Sequence, residues 1–398
     1  MSTTAKHPVD NHAGGQPAAG FQTPAIFALS VSHFVHDIYS SFLAPLLPLL
    51  IDKLSMSLTQ AGFLTTAMQI PALLNPYIGM LADRISLRYF VILAPMLTAV
   101  PMSLIGVAPG YGALLLLLFA AGVSVAAFHV PAPVMIARLA GPKKGRGMSF
   151  FMTGGELARA IGPLVAVSAV SAMGLEGFYP VMAGGMGASV LLFLRFRHVD
   201  LAFHNAQKKI PLVATWRAMR RILLPLAAIL LARGSMHAAM TAFLPTFIKI
   251  QSGNLWLAGA ALTFFEMAGV AGVLTAGPLS DRLGRRQMLL ISLLGAPLCV
   301  FVFAAGHGWL RVAGLLFAGF TLLSTTPVML ALIQEHAGSS PAAANGMFMM
   351  TSFLARSAIV VVVGVIADRV GLQNTYLISA FAGLAGIPFV LMLPKHQA

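Results

Sequence analysis

Charge is what this sequence has least of. Only 9% of its residues are Asp, Glu, Lys or Arg, where an ordinary soluble domain carries roughly 25%. With 58% hydrophobic residues and so few charges, the chain cannot cover itself with a water-compatible surface. That excludes a soluble globular protein and points to an integral membrane protein. Acids are scarcer still, 11 against 25 basic residues. A net charge of +14 would suggest nucleic acid in a soluble protein. Here it is the positive-inside bias of short loops, and no nucleic-acid partner is expected. The one cysteine, Cys299, excludes an intrachain disulfide and leaves the redox compartment unread. The first twenty residues, with "NHAGGQPAAG", lack an apolar core and read as a flexible tail rather than a cleaved signal peptide. No Ser-His-Asp pattern, H-E-x-x-H or phosphate loop is present, so an enzyme is not expected.

What the sequence has in abundance is long apolar runs, and a membrane helix needs about 20 such residues. Runs between Gly, Pro and charge punctuation predict spans at 25–50, 59–81, 89–108, 111–138, 146–172, 177–195, 221–248, 256–277, 288–306, 309–333, 342–367 and 373–393. Run length and the lack of apolar/polar alternation favour helices over barrel strands. The expectation is an all-α membrane protein of twelve transmembrane helices in two six-helix, pseudo-symmetric halves. "RFRHVDLAFHNAQKKIPLVATWRAMRR" is the only long polar interval inside the chain. It sets expected boundaries at 1–22 for a disordered cytoplasmic tail and 23–196 for the N-terminal bundle. A cytoplasmic linker follows at 197–220, then the C-terminal bundle at 221–398.

The two halves echo one another. "GMLADRISLR" starts at Gly79 and "GPLSDRLGRR" at Gly277, each after the second span of its half. "ELAR" ends at Arg159 and "FLAR" at Arg356, each in a fifth span, at nearly the same offset. Two echoes at one offset indicate a duplicated six-helix unit. Loop charge sets the orientation. With both termini inside, only Lys53, Lys249, Arg311 and Arg369 fall outside and Arg159, Arg233 and Arg356 fall within spans. Every other Lys and Arg is cytoplasmic.

Twelve spans in two halves, with G-x-L-[A/S]-D-R-x-x-x-R in both second-to-third loops, resemble the major facilitator superfamily. The resemblance covers nearly the whole chain from about residue 25. It implies a cytoplasmic latch in which Asp83 and Asp281 each face a helix N-terminus of the opposite half. A carboxylate is favoured there by the helix dipole. Arg84, Arg88, Arg282 and Arg286 would pair with these acids or with lipid phosphate, while Gly79 and Gly277 allow close helix approach. Three stretches narrow the likeness. "HFVHDIYSSFLAPLLPLL", "FHVPAPVMIARLAG" and "GGELARAIGPL" are similar to segments of fosmidomycin-resistance-type exporters, and the last partly matches the Gly-Pro motif of drug/proton antiporters. Val130 between His129 and Pro131, Ala132 in place of an acid, and the missing later glycines depart from those patterns. Gly162-Pro163 would loosen the fifth helix and, by the resemblance, help seal the cavity.

Charge inside the membrane costs about 2.5–3.5 kcal/mol per residue even on lenient scales and is functional by default. Only Asp37, Glu156 and Glu266 among the acids, and Arg159, Arg233 and Arg356 among the bases, lie within spans. Three of each sign fit mutual pairing. Asp37 is the first choice for a proton site, because a carboxyl in a poorly hydrated cavity can exchange protons near neutral pH. Its alternative use is a structural pair with Arg233. His33, His36 and Asp37 share one helical face that by the resemblance lines the central cavity, and the histidines could relay the proton. Glu156 and Arg159 are spaced to pair within one helix, and Glu266 needs Arg233 or Arg356 across helices. Either acid is a candidate second proton site. Asp37, Tyr39, His129, Arg233 and His237 are the expected substrate contacts. His129 has a neighbouring carbonyl as its alternative partner, and the 22 methionines suit a soft lining.

The expected function is proton-coupled export of a small organic compound, such as an antibiotic or secreted metabolite, by alternating access. One alternative is a metal or metal-chelate transporter using His33, His36 and Asp37 as ligands. Another is organic-acid uptake drawing on Arg233. No cofactor is expected beyond a proton gradient, no resident metal, and no partner beyond lipid and the substrate. The chain is expected to act as a monomer, multi-pass in a bacterial inner membrane with both termini cytoplasmic.

Overall fold

The computed structural model describes residues 21–75, 78, 88–141, 144–197, 212–336 and 341–394, and every regular element among them is helical. Ten helices among the described residues are long and apolar enough to cross a membrane. Two features separate that number from the twelve expected spans. The longest stretch, Gly346–Leu391, contains Gly371 at φ 77° and ψ 161°, which interrupts it between the eleventh and twelfth expected spans. The second span, Leu58–Gln69 continuing as Ile70–Leu74, runs toward residues 76–87, largely outside the described part. Gly79, Asp83 and Arg84 of the first loop motif also lie outside it, as does most of the expected tail. At the other boundary, helix Leu212–Ala238 begins inside the expected linker, so residues 212–220 continue the seventh span as one helix. They carry "LVATWRAMR", with no Gly or Pro to stop it.

Helix continuity breaks where the sequence removes backbone donors. The first span divides into Thr23–Ser40 and Leu43–Leu54, just ahead of Pro45 and Pro48, which have no N–H to give. Two hydroxyls cover carbonyls at the break: Ser40 donates to the Asp37 carbonyl at 3.0 Å and Ser41 to that of Ile38 at 2.7 Å. The corresponding place in the second half is a π-turn, Ala239–Phe243, followed by Pro245. Both halves thus loosen the first helix of their bundle at the same point, one turn after Asp37 in the first half and just after His237 in the second.

Packing repeats as the sequence does. Thr23–Ser40 lies on Lys144–Met173 in the first half, and Leu212–Ala238 lies on Pro341–Leu384 in the second. Between the halves, Lys144–Met173 packs on Leu255–Leu283 and Leu58–Gln69 on Pro341–Leu384. The buried apolar residues fall into three clusters. One joins both halves, from Leu50, Met56 and Ile105 to Phe247, Phe303 and Tyr376. The other two, around Ile92 and Met135 and around Met288 and Met329, are each confined to one half. Among the described residues, the halves therefore share a core at the end far from the linker and have separate cores at the linker end, so the cleft between these residues lies on the linker side.

Hydrogen bonds agree. Among the described residues, the side-chain bonds between halves lie toward the far end or midway: Lys249 with Asp52 at 2.5 Å, Asp368 with Leu58 and Thr59, and Thr66 with the Ser357 carbonyl at 2.8 Å. At the linker end the second loop motif works within its own half. Asp281 pairs at 2.6 Å with Arg285, not with Arg282 or Arg286, and Arg285 also holds Glu335 at 2.8 Å. One helical turn puts residue 285 beside 281. Gly277 has open space where a Cβ would stand, so in this state it permits no close approach. Arg88 opens its helix with the guanidinium over Tyr89.

Candidate functional site

Asp37 is the centre of the site. It is 5% exposed, and His33 and His36 on the same helix are 3% and 0% exposed. The expected shared face is present. His33 Nε2 stands 3.2 Å from Asp37 Oδ2, and His36 Nε2 stands 3.8 Å from Oδ1. A third histidine comes from the fourth span, whose helix Tyr111–His129 ends there. His129 Nε2 is 3.5 Å from Oδ1. Stacked and tilted rings of Phe128 and Phe151 wall the cluster. Only His129 is partly open, with 37% of its side chain exposed.

The far nitrogen of each imidazole decides its proton. His33 Nδ1 lies 2.8 Å from the Phe151 carbonyl and His129 Nδ1 lies 2.9 Å from the Val125 carbonyl. Carbonyls only accept, so both Nδ1 atoms carry hydrogen. His36 follows by counting donors. Ser124 donates to the Ala94 carbonyl at 3.2 Å, so it accepts from Thr98 at 2.8 Å. Thr98 has then spent its one hydrogen and accepts from His36 Nδ1 at 3.1 Å. In their neutral forms all three rings therefore turn a bare Nε2 lone pair toward one carboxylate. Lone pairs facing an anion repel. The cluster is favourable only when it holds at least one proton beyond the neutral tautomers, or another cation. Asp37 Oδ1 and His36 Nε2 are both buried without a hydrogen bond, which marks the place left for it.

Paired glycines give this arrangement room. Gly154 brings the fifth helix against the first, for a Cβ there would stand 2.4 Å from the Ser30 carbonyl oxygen. At Gly155 a Cβ would stand 2.5 Å from the His33 ring. Gly162 repeats the close approach one site further on, against Ser41 and Ile38, and Pro163 presents its carbonyl to Gly259 of the opposite half. The "GGELARAIGPL" stretch is thus a seam that lays the fifth helix on the first while leaving space for an imidazole.

A charged cluster lies across the cleft. Glu156 and Arg159 form the expected pair along the fifth helix. Arg159 also feels the charges of Glu266 and Asp37, and Arg356 those of Arg159 and Glu266. These two arginines, equivalent by the sequence echo, come from opposite halves and are both within electrostatic reach of Glu266. Arg356 rests over Phe353 and hydrogen-bonds to no described residue.

Other expectations are corrected. Tyr39 is 4% exposed; it donates to the Val181 carbonyl at 2.6 Å and accepts from the Gly185 N–H at 3.0 Å. It ties the first span to the sixth. Arg233 is 6% exposed and donates to the Leu322 carbonyl at 2.9 Å. It neither pairs with Asp37 nor faces the cleft, because its helix turns that side into the second bundle. His237 is partly buried, with Nδ1 unpartnered. Among the described residues, the three donors close enough to hold a metal are His33, Asp37 and His129, within 4.8 Å of one another. His36, included from sequence, is not among them, since its Nε2 stands further off.

Known proteins place this architecture. The Major Facilitator Superfamily profile matches residues 29–359 and again 252–398. The fosmidomycin resistance protein of Escherichia coli (strain K12) is 27% identical over 379 residues, covering 93% of this chain and 92% of that protein. The uncharacterized MFS-type transporter YfnC of Bacillus subtilis (strain 168) is 25% identical over 386 residues, covering 94% and 93%. Among solved structures, a bacterial homolog of the human lysosomal transporter Spinster, in an inward-facing and unoccupied conformation, superposes with a TM-score of 0.76. It is 15% identical, and the match covers 95% of this chain and 96% of that one. Helical spans, duplicated halves and profile agree: the chain belongs to the major facilitator superfamily and is a multi-pass membrane transporter.

Proposed function

We propose that this transporter exports a small organic compound in exchange for protons, with the cluster of Asp37, His33, His36 and His129 as the proton site. The carrying observation is the proton count at Asp37. Three imidazoles whose Nδ1 hydrogens are committed elsewhere turn Nε2 toward a single buried carboxylate, an arrangement that gains and loses a proton without rebuilding. Resistance to fosmidomycin, in the name of the relative from Escherichia coli, supports efflux over uptake. Glu156 and Glu266 flank the cleft as the acids through which the proton site and the substrate communicate. With Arg159 acting on Asp37, Glu156 and Glu266, a proton gained at Asp37 frees Arg159 to shift toward Glu266 in the other half. In this reading the linker end faces the cytoplasm in a bacterial inner membrane, the far end faces outside, and one chain suffices.

Everted vesicles acidified inside and challenged with a compound panel test it. A transported compound is expected to dissipate part of the pH gradient only where the chain is present; a substrate that moves without any proton flux ends the antiport reading. Calorimetry with Zn²⁺ and Ni²⁺ separates the proton from a metal as the natural occupant. No heat beyond dilution is expected, whereas a signal lost in His129→Ala would reassign the cluster to metal.

A further inference from the structure

We propose that Asp368 is a positioning residue of the transport cycle: it caps a helix of the opposite half and so holds the far end closed. Leu58–Gln69 belongs to the first half, and its first N–H groups have no partner within the helix. Ser57 covers one of them, accepting from the Gln60 N–H at 3.1 Å while Gln60 returns a bond to Ser57. Two others are taken from across the molecule. Asp368 Oδ1 accepts from the Leu58 N–H at 2.7 Å, and Oδ2 accepts from the Thr59 N–H at 2.9 Å and the Thr59 hydroxyl at 2.5 Å. An ionised carboxylate bonded to three donors at a helix N-terminus is among the stronger polar contacts a protein makes. All three bonds join chain segments about 310 residues apart, one from each bundle.

The cap sits at the head of a seam. A Cβ on Gly364 would stand 2.4 Å from the Leu58 carbonyl oxygen, and one on Gly62 would stand 2.9 Å from that of Val360. The two helices therefore touch backbone to backbone for a turn on either side. The Thr66 hydroxyl then bonds the Ser357 carbonyl, one residue from Arg356 in the cleft. Opening the far end has to peel this seam apart, and the carboxylate cap is its strongest polar contact. Where Lys144–Met173 meets Leu255–Leu283 between halves, the described residues show no such cap. Leu255–Leu283 starts with Asn254, whose own side chain accepts from Leu257. The latch operates whatever ion drives transport.

The test is a distance measurement on the full chain in nanodiscs. Spin labels go on Gly112→Cys and Asn374→Cys in a Cys299→Ser background, reporting the gap between halves at the far end. The starting chain is expected to show mainly the short distance. Asp368→Ala is expected to raise the long-distance population by about tenfold or more, Asp368→Glu to restore the short one, and Thr59→Val to shift it in the same direction by less. Melting of each variant guards against misfolding. Asp368→Ala with an unchanged distance distribution in a folded protein overturns the latch. Should Asp368→Ala not fold, Thr59→Val and Asp368→Asn decide, and no shift in either overturns it equally.

Discussion

Asp37→Asn is expected to leave a folded transporter in which substrate no longer moves protons. Asn has the shape of Asp but takes no proton in this range, so the cluster loses its exchangeable site and keeps its volume. The carboxylate is 5% exposed, with one oxygen lacking any hydrogen bond. The Asn amide can donate to one of the bare Nε2 atoms, so the neutral cluster no longer needs an extra proton to be favourable. The melting temperature should therefore not fall. Substrate-driven pH dissipation in vesicles should drop on the order of 100-fold, the scale on which a positioned proton-transfer group matters. Full coupling in Asp37→Asn would remove Asp37 from the proton path and with it the reading of the three histidines.

Gly155→Ala is expected to damage coupling nearly as much, from a methyl group that touches no charge. The new Cβ would lie 2.5 Å from the His33 ring, well inside van der Waals contact. That ring is held by the Phe151 carbonyl on one side and Asp37 on the other. It has to turn away and give up one of the two. Overpacking of this kind costs about 1–3 kcal/mol, roughly one to two orders of magnitude in the population of the working arrangement. Gly187→Ala, where nothing lies within 4 Å of the added atom, is the control expected to behave as the parent chain. Equal coupling in Gly155→Ala and Gly187→Ala would mean that the His33–Asp37 contact is dispensable.

Much of the molecule follows from local statements. Unpaired backbone in lipid is too costly for anything but helices and closed barrels, and run length without apolar/polar alternation decides for helices. Two echoes at one offset reveal the duplication, and helical spacing alone places His33 and His36 beside Asp37 and Glu156 beside Arg159. Periodicity says which residues share a face; it does not say which helix that face will meet. His129 joins Asp37 only because the fourth span ends against the first. The sequence shows His129 as an intramembrane histidine but not its partner. Tyr39 and Arg233 look equally functional in sequence, yet each donates to the carbonyl of a neighbouring helix, and Arg233 Nε is left buried without a partner.

Asp368 is the residue about which the sequence says least. At a span end it reads as a solvated loop acid, and nothing near it in the chain hints that its partners lie about 310 residues away. So the sequence by itself determined that this chain spans a membrane as two related bundles and that very few ionisable groups are kept inside. Tertiary structure alone decided which of those groups meet and at which end the described parts of the two halves share a core. Helix-to-helix contacts are long-range, and a one-dimensional pattern carries the faces but not their pairing.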